Sequence, residues 1–212
     1  MMKKFFVTMI LLTAFVLFAF GMQDSAYRFQ LLNIEAATET VSFQSISEDV
    51  WTFESLTDLH FQMQNGVYSA KGQIDKNLIV DYQLTLFYNG GETQISCKLE
   101  TEQLQATAGD KNYTIEIKQP LLILDNNLSW TWQLVYNLYR INEHQTINIF
   151  IPQLLLKNFT DILTIEIQKV TQTEEHTNVF FSLNGQSGML KINEDGQVIQ
   201  LLMGGTIMER IL

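Results

Sequence analysis

Polar and apolar residues alternate along most of this chain, and that period of two constrains the fold more than any other feature. In LTIEI, residues 163–167, every second residue is apolar. Such alternation is typical of half-buried strands, because successive side chains point to opposite faces of a sheet. Short turn signals such as Asn65-Gly66, Asn89-Gly90-Gly91, Gly109-Asp110 and Asp195-Gly196 separate the runs. Loops this short favour antiparallel neighbours, and the pattern predicts ten or eleven strands.

One segment departs from the alternation. In DNNLSWTWQLVYNLYR, residues 125–140, apolar residues recur at helical spacing from Trp132 to Tyr139, and polar residues that can cap a helix precede them. This predicts a strand, a turn and a short amphipathic helix over residues 120–139. A second short helix is predicted within residues 25–47. The expected fold is mainly β with minor α: a single large curved antiparallel sheet or half-barrel covered by one or two short helices.

The N-terminus carries an export pattern. Lys3 and Lys4 precede an apolar stretch, and Ala19-Phe20-Gly21 places small residues before a cut at Met22. Residues 1–21 are therefore expected to be a signal peptide or, alternatively, a retained membrane anchor. Residues 22–212 are expected to form a single β-rich extracytoplasmic domain. That domain would be secreted, periplasmic, or tethered through residues 5–22 to the outer face of the cytoplasmic membrane.

Charge and cysteine content narrow the function classes. Removing residues 1–21 takes away two of the 13 basic residues and none of the 23 acidic ones, which shifts the formal net charge from −10 to −12. No nucleic-acid partner is expected, because such a partner requires a basic face. A disulfide within the chain is impossible, since Cys97 is the single cysteine. Cys97 alternates in phase with Ile95 and Leu99, so it is expected on the same face of a strand as these apolar residues, with its thiol buried.

The order of parts from Leu78 to Leu212 carries a family resemblance. A proline-led apolar run, an Asp-Asn-Asn turn and an apolar helix are followed by QTINIFIPQ and the closing pair GMLKINEDGQVIQLLM. This order resembles secreted bacterial domains in which a curved antiparallel sheet wraps around helices, namely the LolA-like lipoprotein-carrier family and uncharacterised periplasmic relatives. The resemblance implies that an acyl chain or an apolar polypeptide is held in the concave face. It brings no catalytic residues.

Related sheets also precede secreted hydrolases as accessory domains. Their terminal D-x-x-G-x-V pattern is similar to Asn193, Gly196 and Val198, with Asn in place of Asp. An accessory role in a secreted hydrolase system is therefore one alternative function that the resemblance implies.

No spacing in the sequence predicts a catalytic or metal site. His60, His144 and His176 stand apart without the close spacing of metal-ligand pairs. Neighbouring acidic residues either fall in loops or would point to opposite faces of a strand. No nucleophile-elbow, phosphate-loop or dinucleotide motif occurs. We therefore expect no enzymatic activity, no cofactor and no metal.

Aromatic residues concentrate in the helical segment. Packing of the helix onto the sheet accounts for the presence of most aromatic residues in this segment, which include Trp130, Trp132 and Tyr136. Trp130 is out of phase with the apolar stripe, and the alternative interpretation places it at the rim of an apolar cavity, with Trp132 and Tyr136 as further candidate ligand-binding residues. In-phase strand residues are expected to line that cavity: Leu84, Leu86, Ile115, Ile117, Ile147 and Ile149.

Two functions remain open at this point. The first is a noncatalytic extracytoplasmic protein that binds or carries a lipid or acyl chain in the concave face of a curved sheet. The alternative is a structural or interaction module of the cell envelope with no ligand cavity, in which a sheet edge pairs with another chain. The sequence leaves the oligomeric state open.

Overall fold

A computed structural model of the chain describes residues 24–32, 34–60, 66–88, 90–117, 120–125, 129–142 and 146–211. The predicted signal or anchor, His144, and the turn residues Asn65 and Asn89 lie outside these ranges. The described residues form fifteen strands where the alternation predicts ten or eleven. The strands are β1 (Ser25–Leu31), β2 (Ile34–Ser45), β3 (Val50–Leu59), β4 (Gly66–Asp75), β5 (Leu78–Tyr88), β6 (Gly91–Leu99), β7 (Gln103–Ala108), β8 (Lys111–Glu116), β9 (Leu121–Ile123), β10 (Thr146–Phe150), β11 (Leu163–Gln172), β12 (His176–Leu183), β13 (Gln186–Asn193), β14 (Val198–Met203) and β15 (Thr206–Arg210).

All fifteen strands belong to one open sheet, and the predicted mainly-β class is confirmed. The order is β8-β7-β6-β5-β4-β3-β2-β1-β15-β14-β13-β12-β11-β10-β9. Two meanders, β1–β8 and β9–β15, therefore meet where the first and last strands pair antiparallel. The salt bridge from Arg28 to Glu209, at 3.1 Å, crosses this β1–β15 seam.

Connectivity requires the sheet to curve strongly. β8 and β9 lie at opposite edges of the sheet, yet only five Cα steps separate Glu116 from Leu121. Five steps reach at most about 18 Å, whereas a flat sheet of this many strands would be about 67 Å wide at ~4.8 Å between neighbours. The chain can satisfy both only if the sheet rolls until its edges approach each other. Consistent with this, β9 lies against β5.

The rolled sheet has one continuous inner face that carries the core. Phe29 lies opposite Met208, and Met208 lies opposite Leu201, so these side chains share a face across the seam. In the first half of the sheet, Tyr82 lies opposite Cys97, and both are buried. The predicted burial of Cys97 is thereby confirmed. The buried apolar residues form a single cluster that draws on both halves.

The described residues between 25 and 47 form two strands with short flanking turns, so the second predicted helix is wrong. β1 and β2 occupy this segment and pair antiparallel. The inner face of β2 presents Ala37, Glu39 and Val41, all buried. A polar carboxyl residue, Glu39, in the middle of this buried row interrupts the apolar alternation and obscures the period of two there.

The strand and the helix predicted within residues 120–139 are both present, whereas residues 126–128 of the predicted turn lie outside the described ranges. The segment also introduces a parallel strand pair. β9 is buried throughout, as the continuous apolar run predicts. The helix α1 (Thr131–Asn142) follows, and β10 then pairs parallel with β9. The expectation of a purely antiparallel sheet is therefore wrong at this one edge. The parallel pair is possible there because α1 provides the long crossover that such a pair needs.

A second, shorter helix follows β10. Pro152 ends the strand, as predicted, and begins the 3-10 helix Pro152–Lys157. Asn158 ends that helix in the left-handed conformation, at φ 56°. The 3-10 helix contacts β6 and β7 on the far side of the roll. Neither helix of the described ranges has the length and apolarity needed to cross a membrane.

Candidate functional site

An open apolar cleft of about 710 Å³ lies on the inner face of the second half of the sheet. The 3-10 helix and its following residues form one wall, α1 contributes Trp132, and the ends of β11–β15 form the other wall. We refer to this site as the apolar cleft. It is lined by Phe29, Trp132, Ile151, Leu154, Lys157, Phe159, Leu163, Leu183, Asn184, Gln186, Leu201, Met203, Gly204 and Thr206.

The floor and the mouth of the cleft differ in chemistry. Trp132, Ile151, Leu183 and Leu201 are buried and form an apolar floor. The Trp132 ring packs against Phe181 with centroids 5.0 Å apart, which fixes its orientation. The exposed lining residues lie at the mouth and are mainly polar: Lys157, Phe159, Asn184, Gln186 and Gly204.

The geometry of the 3-10 helix explains why Leu154 and Lys157 line the same cleft. Residues three apart lie on one side of such a helix, because it has three residues per turn. Leu154 is half-buried toward the floor, and Lys157 is exposed at the mouth. Leu155, one residue on, is instead buried, and its carbonyl accepts a hydrogen bond of 3.4 Å from Tyr113 of β8.

Of the nine residues predicted to line a cavity, Trp132 lines this cleft. Leu84, Ile115, Ile147 and Ile149 are instead buried in the core. The remaining predicted strand residues and Tyr136 are partly buried and pack against the same core: Leu86, Ile117 and Tyr136. These eight positions, including Trp130, are not among the residues that line the cleft.

Trp130 occupies the core at the other end of the helical segment. It is 2% exposed, and its ring lies 5.3 Å from Phe43 and 4.5 Å from Phe53, measured between centroids. This placement agrees with the packing interpretation of the aromatic cluster. Its predicted position at a cavity rim does not correspond to the apolar cleft.

A buried carboxyl that the sequence analysis missed lies beneath the Trp130 segment. Glu39 of β2 is 1% exposed. Its Oε1 accepts a hydrogen bond of 2.9 Å from the Ser55 hydroxyl, and its Oε2 accepts one of 2.7 Å from the Ser129 backbone amide. Burial raises the pKa of Glu39 to about 8, although the hydrogen bonds from Ser129 and Ser55 oppose that rise.

A second buried carboxyl, Asp125, lies two residues after the end of β9. It accepts hydrogen bonds from the Tyr82 hydroxyl and from the side-chain amide of Gln153, and its backbone carbonyl accepts one from Thr131. The sequence predicts Asp125 only as a member of a capped turn. Its role in linking β5, α1 and the 3-10 helix depends on residues far apart in sequence, so no local pattern could reveal it.

The two carboxyls hold the segment that contains Trp130 and Trp132 against the sheet. Glu39 accepts a hydrogen bond from the Ser129 amide, and Asp125 accepts one from the Tyr82 hydroxyl of β5. Buried polar groups of this kind are costly unless they are hydrogen-bonded, and both of these are. Burial also raises the pKa of the Cys97 thiol, which favours its protonated form.

The two histidines within the described ranges, His60 and His176, do not assemble with these acids. His60 is exposed and lies 3.7 Å from Asp58, and His176 begins β12. Among the described residues, no group of three His, Cys, Asp or Glu side chains is placed to hold a metal ion. The described site is thus an apolar cleft with a polar mouth, adjoining a segment anchored by buried carboxyls.

Comparisons of this chain with protein-family models, with curated proteins and with solved structures found no match.

Proposed function

We propose that this protein is a noncatalytic extracytoplasmic protein that binds or carries the acyl chain of a lipid in the apolar cleft. The observation that carries the proposal is the cleft itself, with its buried apolar floor and its exposed polar mouth. Its volume falls within the range of about 300–1,000 Å³ that is common for small-molecule sites. Covering such a floor with an acyl chain is favourable by about 25 cal/mol for each Å² of apolar surface removed from water.

The site proposed here lies further along the inner face than the strands first expected to line it. Of the strands first expected to line the cavity, β5 contacts β9 and β10 pairs with β9, while the 3-10 helix contacts the neighbouring β6 and β7. The inner face of β12–β15 is less covered near the ends of its strands, and Leu183, Leu201 and Met203 there line the cleft. A ligand would therefore enter beside the β12–β13 and β14–β15 turns.

Trp132 provides a direct test of acyl-chain binding. A brominated fatty acid quenches tryptophan fluorescence only at close range, and Trp132 lines the cleft. We expect saturable quenching on titration, and we expect Trp132→Phe to remove most of it while preserving the fold. Trp51 and Trp130 are absent from the cleft lining and serve as internal references. Absence of saturable quenching would count against the proposal.

A blocking variant separates cleft binding from nonspecific adsorption. Leu154→Trp adds bulk to a half-buried residue of the cleft wall. We expect this variant to weaken binding of a fluorescent fatty acid at least tenfold. The matched control is Leu56→Trp, the same substitution at a residue that is 51% exposed on β3. Equal binding by both variants would place the ligand elsewhere.

The export proposal has its own measurement. Residues 1–21 have the pattern of a signal peptide or of a retained anchor. The mass of the mature protein from an exporting host separates them, since cleavage leaves Met22 at the N-terminus. A cytoplasmic full-length product would contradict extracytoplasmic localisation.

The second candidate function is that of an interaction module of the cell envelope. It is favoured by β8, an edge strand whose hydrogen-bonding partner is β7 alone among the described strands. Such an edge can accept a strand from another chain. If the purified protein forms dimers in sedimentation experiments and Thr114→Pro abolishes them, this function gains support over lipid binding.

A further inference from the structure

We infer that the ligand of the apolar cleft is an anionic amphiphile, whose acid head group pairs with Lys157 at the mouth. This inference rests on the proposed function, because it names the chemical class of the ligand for that same site. The head group is a carboxylate or a phosphate at the end of an acyl chain.

The charge of the lining is the first observation. Lys157 is the one charged residue among the fourteen that line the cleft, and no acidic residue is among them. The chain as a whole has 23 acidic and 13 basic residues and is therefore negatively charged. The lining of the cleft has the opposite sign of charge, because it contains one basic and no acidic residue. A cleft of this kind repels cationic amphiphiles and attracts anionic ones.

The position of Lys157 is the second observation. It lies one 3-10 turn after Leu154, so its aliphatic stem follows the cleft wall while its ammonium group reaches water. Among the described residues, its ammonium forms no salt bridge within the protein. Lysine in this position can donate to an anionic oxygen without first losing an internal partner.

Neutral polar groups surround the same mouth. Asn184, Gln186 and Thr206 line it together with Gly204. Amide and hydroxyl groups can donate to the remaining oxygens of a carboxylate or phosphate. The cleft thus combines an apolar floor for the tail with one cation and several donors for the head.

The test compares ligands that share a tail and differ in the head. The probes are dibromostearic acid, the corresponding dibromostearyl alcohol and a dibromostearyl amine, each titrated below its micelle threshold while Trp132 quenching is followed. The titrations use mildly alkaline pH and low ionic strength, where the acid is ionised. We expect the acid to bind about two- to fivefold more tightly than the alcohol, the range for a solvent-exposed ion pair, and the amine to bind more weakly than both.

Variants then assign the preference to Lys157. Lys157→Gln should make the acid and the alcohol bind equally, and Lys157→Arg should retain the preference. The matched control is Lys71→Gln, which changes an exposed lysine of β4 outside the cleft lining. Added salt should reduce the advantage of the acid in wild type, because an exposed pair is screened. A monoalkyl phosphate with the same tail shows which of the two acid groups is preferred.

The outcomes separate the inference from the proposed function. If acid, alcohol and amine bind equally to wild type, or if Lys157→Gln keeps the preference for the acid, this inference is overturned while acyl-chain binding stands. If none of the probes binds, the proposed function fails and the inference fails with it.

Discussion

Glu39 is a carboxyl enclosed within the rolled sheet, and its protonation should control stability over a defined pH window. Its pKa rises from an ordinary value of 4.5 to about 8, chiefly because burial disfavours the charged form. The charge of Asp125 adds to this rise, and Tyr27 faces Glu39 from the neighbouring strand. Between these two pH values the folded protein holds a proton that the unfolded chain has released.

Substitution of Glu39 isolates this effect. Because the folded state binds more protons in the window, the stabilisation is fully present below about pH 4.5 and is lost as pH rises toward about 8. In Glu39→Gln, the amide can still accept from Ser129 and donate to Ser55, so the fold should be retained. We expect the stability of wild type relative to this variant to fall with pH by up to about 1.4 kcal/mol per pH unit.

Urea unfolding of both proteins from mildly acidic to mildly alkaline pH measures this difference. Groups common to both proteins cancel in the comparison. A difference that does not change with pH would show that Glu39 ionises in the folded protein as it does in the unfolded chain.

Gly188 is a position where a single methyl group should be costly. It lies opposite Phe181 on the inner face, and an added Cβ would lie 2.3 Å from the Phe181 ring. That ring also contacts Trp132, so it has little freedom to move. We expect Gly188→Ala to reduce the free energy of unfolding by about 1–3 kcal/mol, as overpacking of a core typically does.

The matched control for this substitution is Gly91→Ala in β6. An added Cβ there has its nearest contact at 3.5 Å, which is ordinary van der Waals distance. Thermal and urea unfolding of the two variants should therefore differ. Equal stabilities would mean that the Phe181 ring shifts without cost.

At the scale of elements, Gln133 connects α1 to the β13–β14 turn of the sheet. The Gln133 side chain donates to the Gly196 carbonyl at 3.0 Å and accepts from the Val198 amide at 2.7 Å. It thereby satisfies backbone groups at the β13–β14 turn in the way that a neighbouring strand would. Val198 is 1% exposed, so its amide has no access to solvent if the glutamine is removed.

Gln133→Met keeps the length of the side chain and removes both hydrogen bonds to the turn, together with the one that Gln133 donates to Asn137 within α1. We expect a loss of about 1–3 kcal/mol, because a buried backbone amide is left without a partner. Amide hydrogen exchange at Val198 should accelerate correspondingly. Gln94→Met, at an exposed glutamine of β6, is the control and should change stability by less than about 0.5 kcal/mol. Unchanged exchange at Val198 would show that another group replaces the glutamine.

The elements differ in how far sequence predicts them. β5 and α1 follow from a clear period of two and a clear helical period, and Pro152 ends β10 as expected. β2 was missed because Glu39 lies in its buried row, and the 3-10 helix has too few residues to show a period. The apolar cleft could not be predicted, because Phe29, Trp132 and Met203 come together only through the pairing of β1 with β15.

At the scale of the whole molecule, the β1–β15 seam joins two meanders that each lack a complete core. β1 precedes every other described strand and β15 follows every other one, so the seam forms only between the two ends of the domain. Loop closure over so long a chain is entropically costly, and the contacts that compensate for it are spread over both meanders. The sheet is therefore expected to unfold as one cooperative unit.

Met208 tests this cooperativity, since it is fully buried at the centre of β15 and lies opposite both Phe29 and Leu201. Met208→Ala should cost about 2–5 kcal/mol through lost contacts and a residual cavity. If the sheet is one unit, the slowest-exchanging amides of β5 and of β13 should lose the same free energy of protection, although β5 lies five strands from β15 and β13 only two. Ile211→Ala, at a residue 49% exposed just beyond β15, should leave both strands unchanged. Loss of protection confined to β13 would show instead that the two meanders are separate folding units, each stable without the seam.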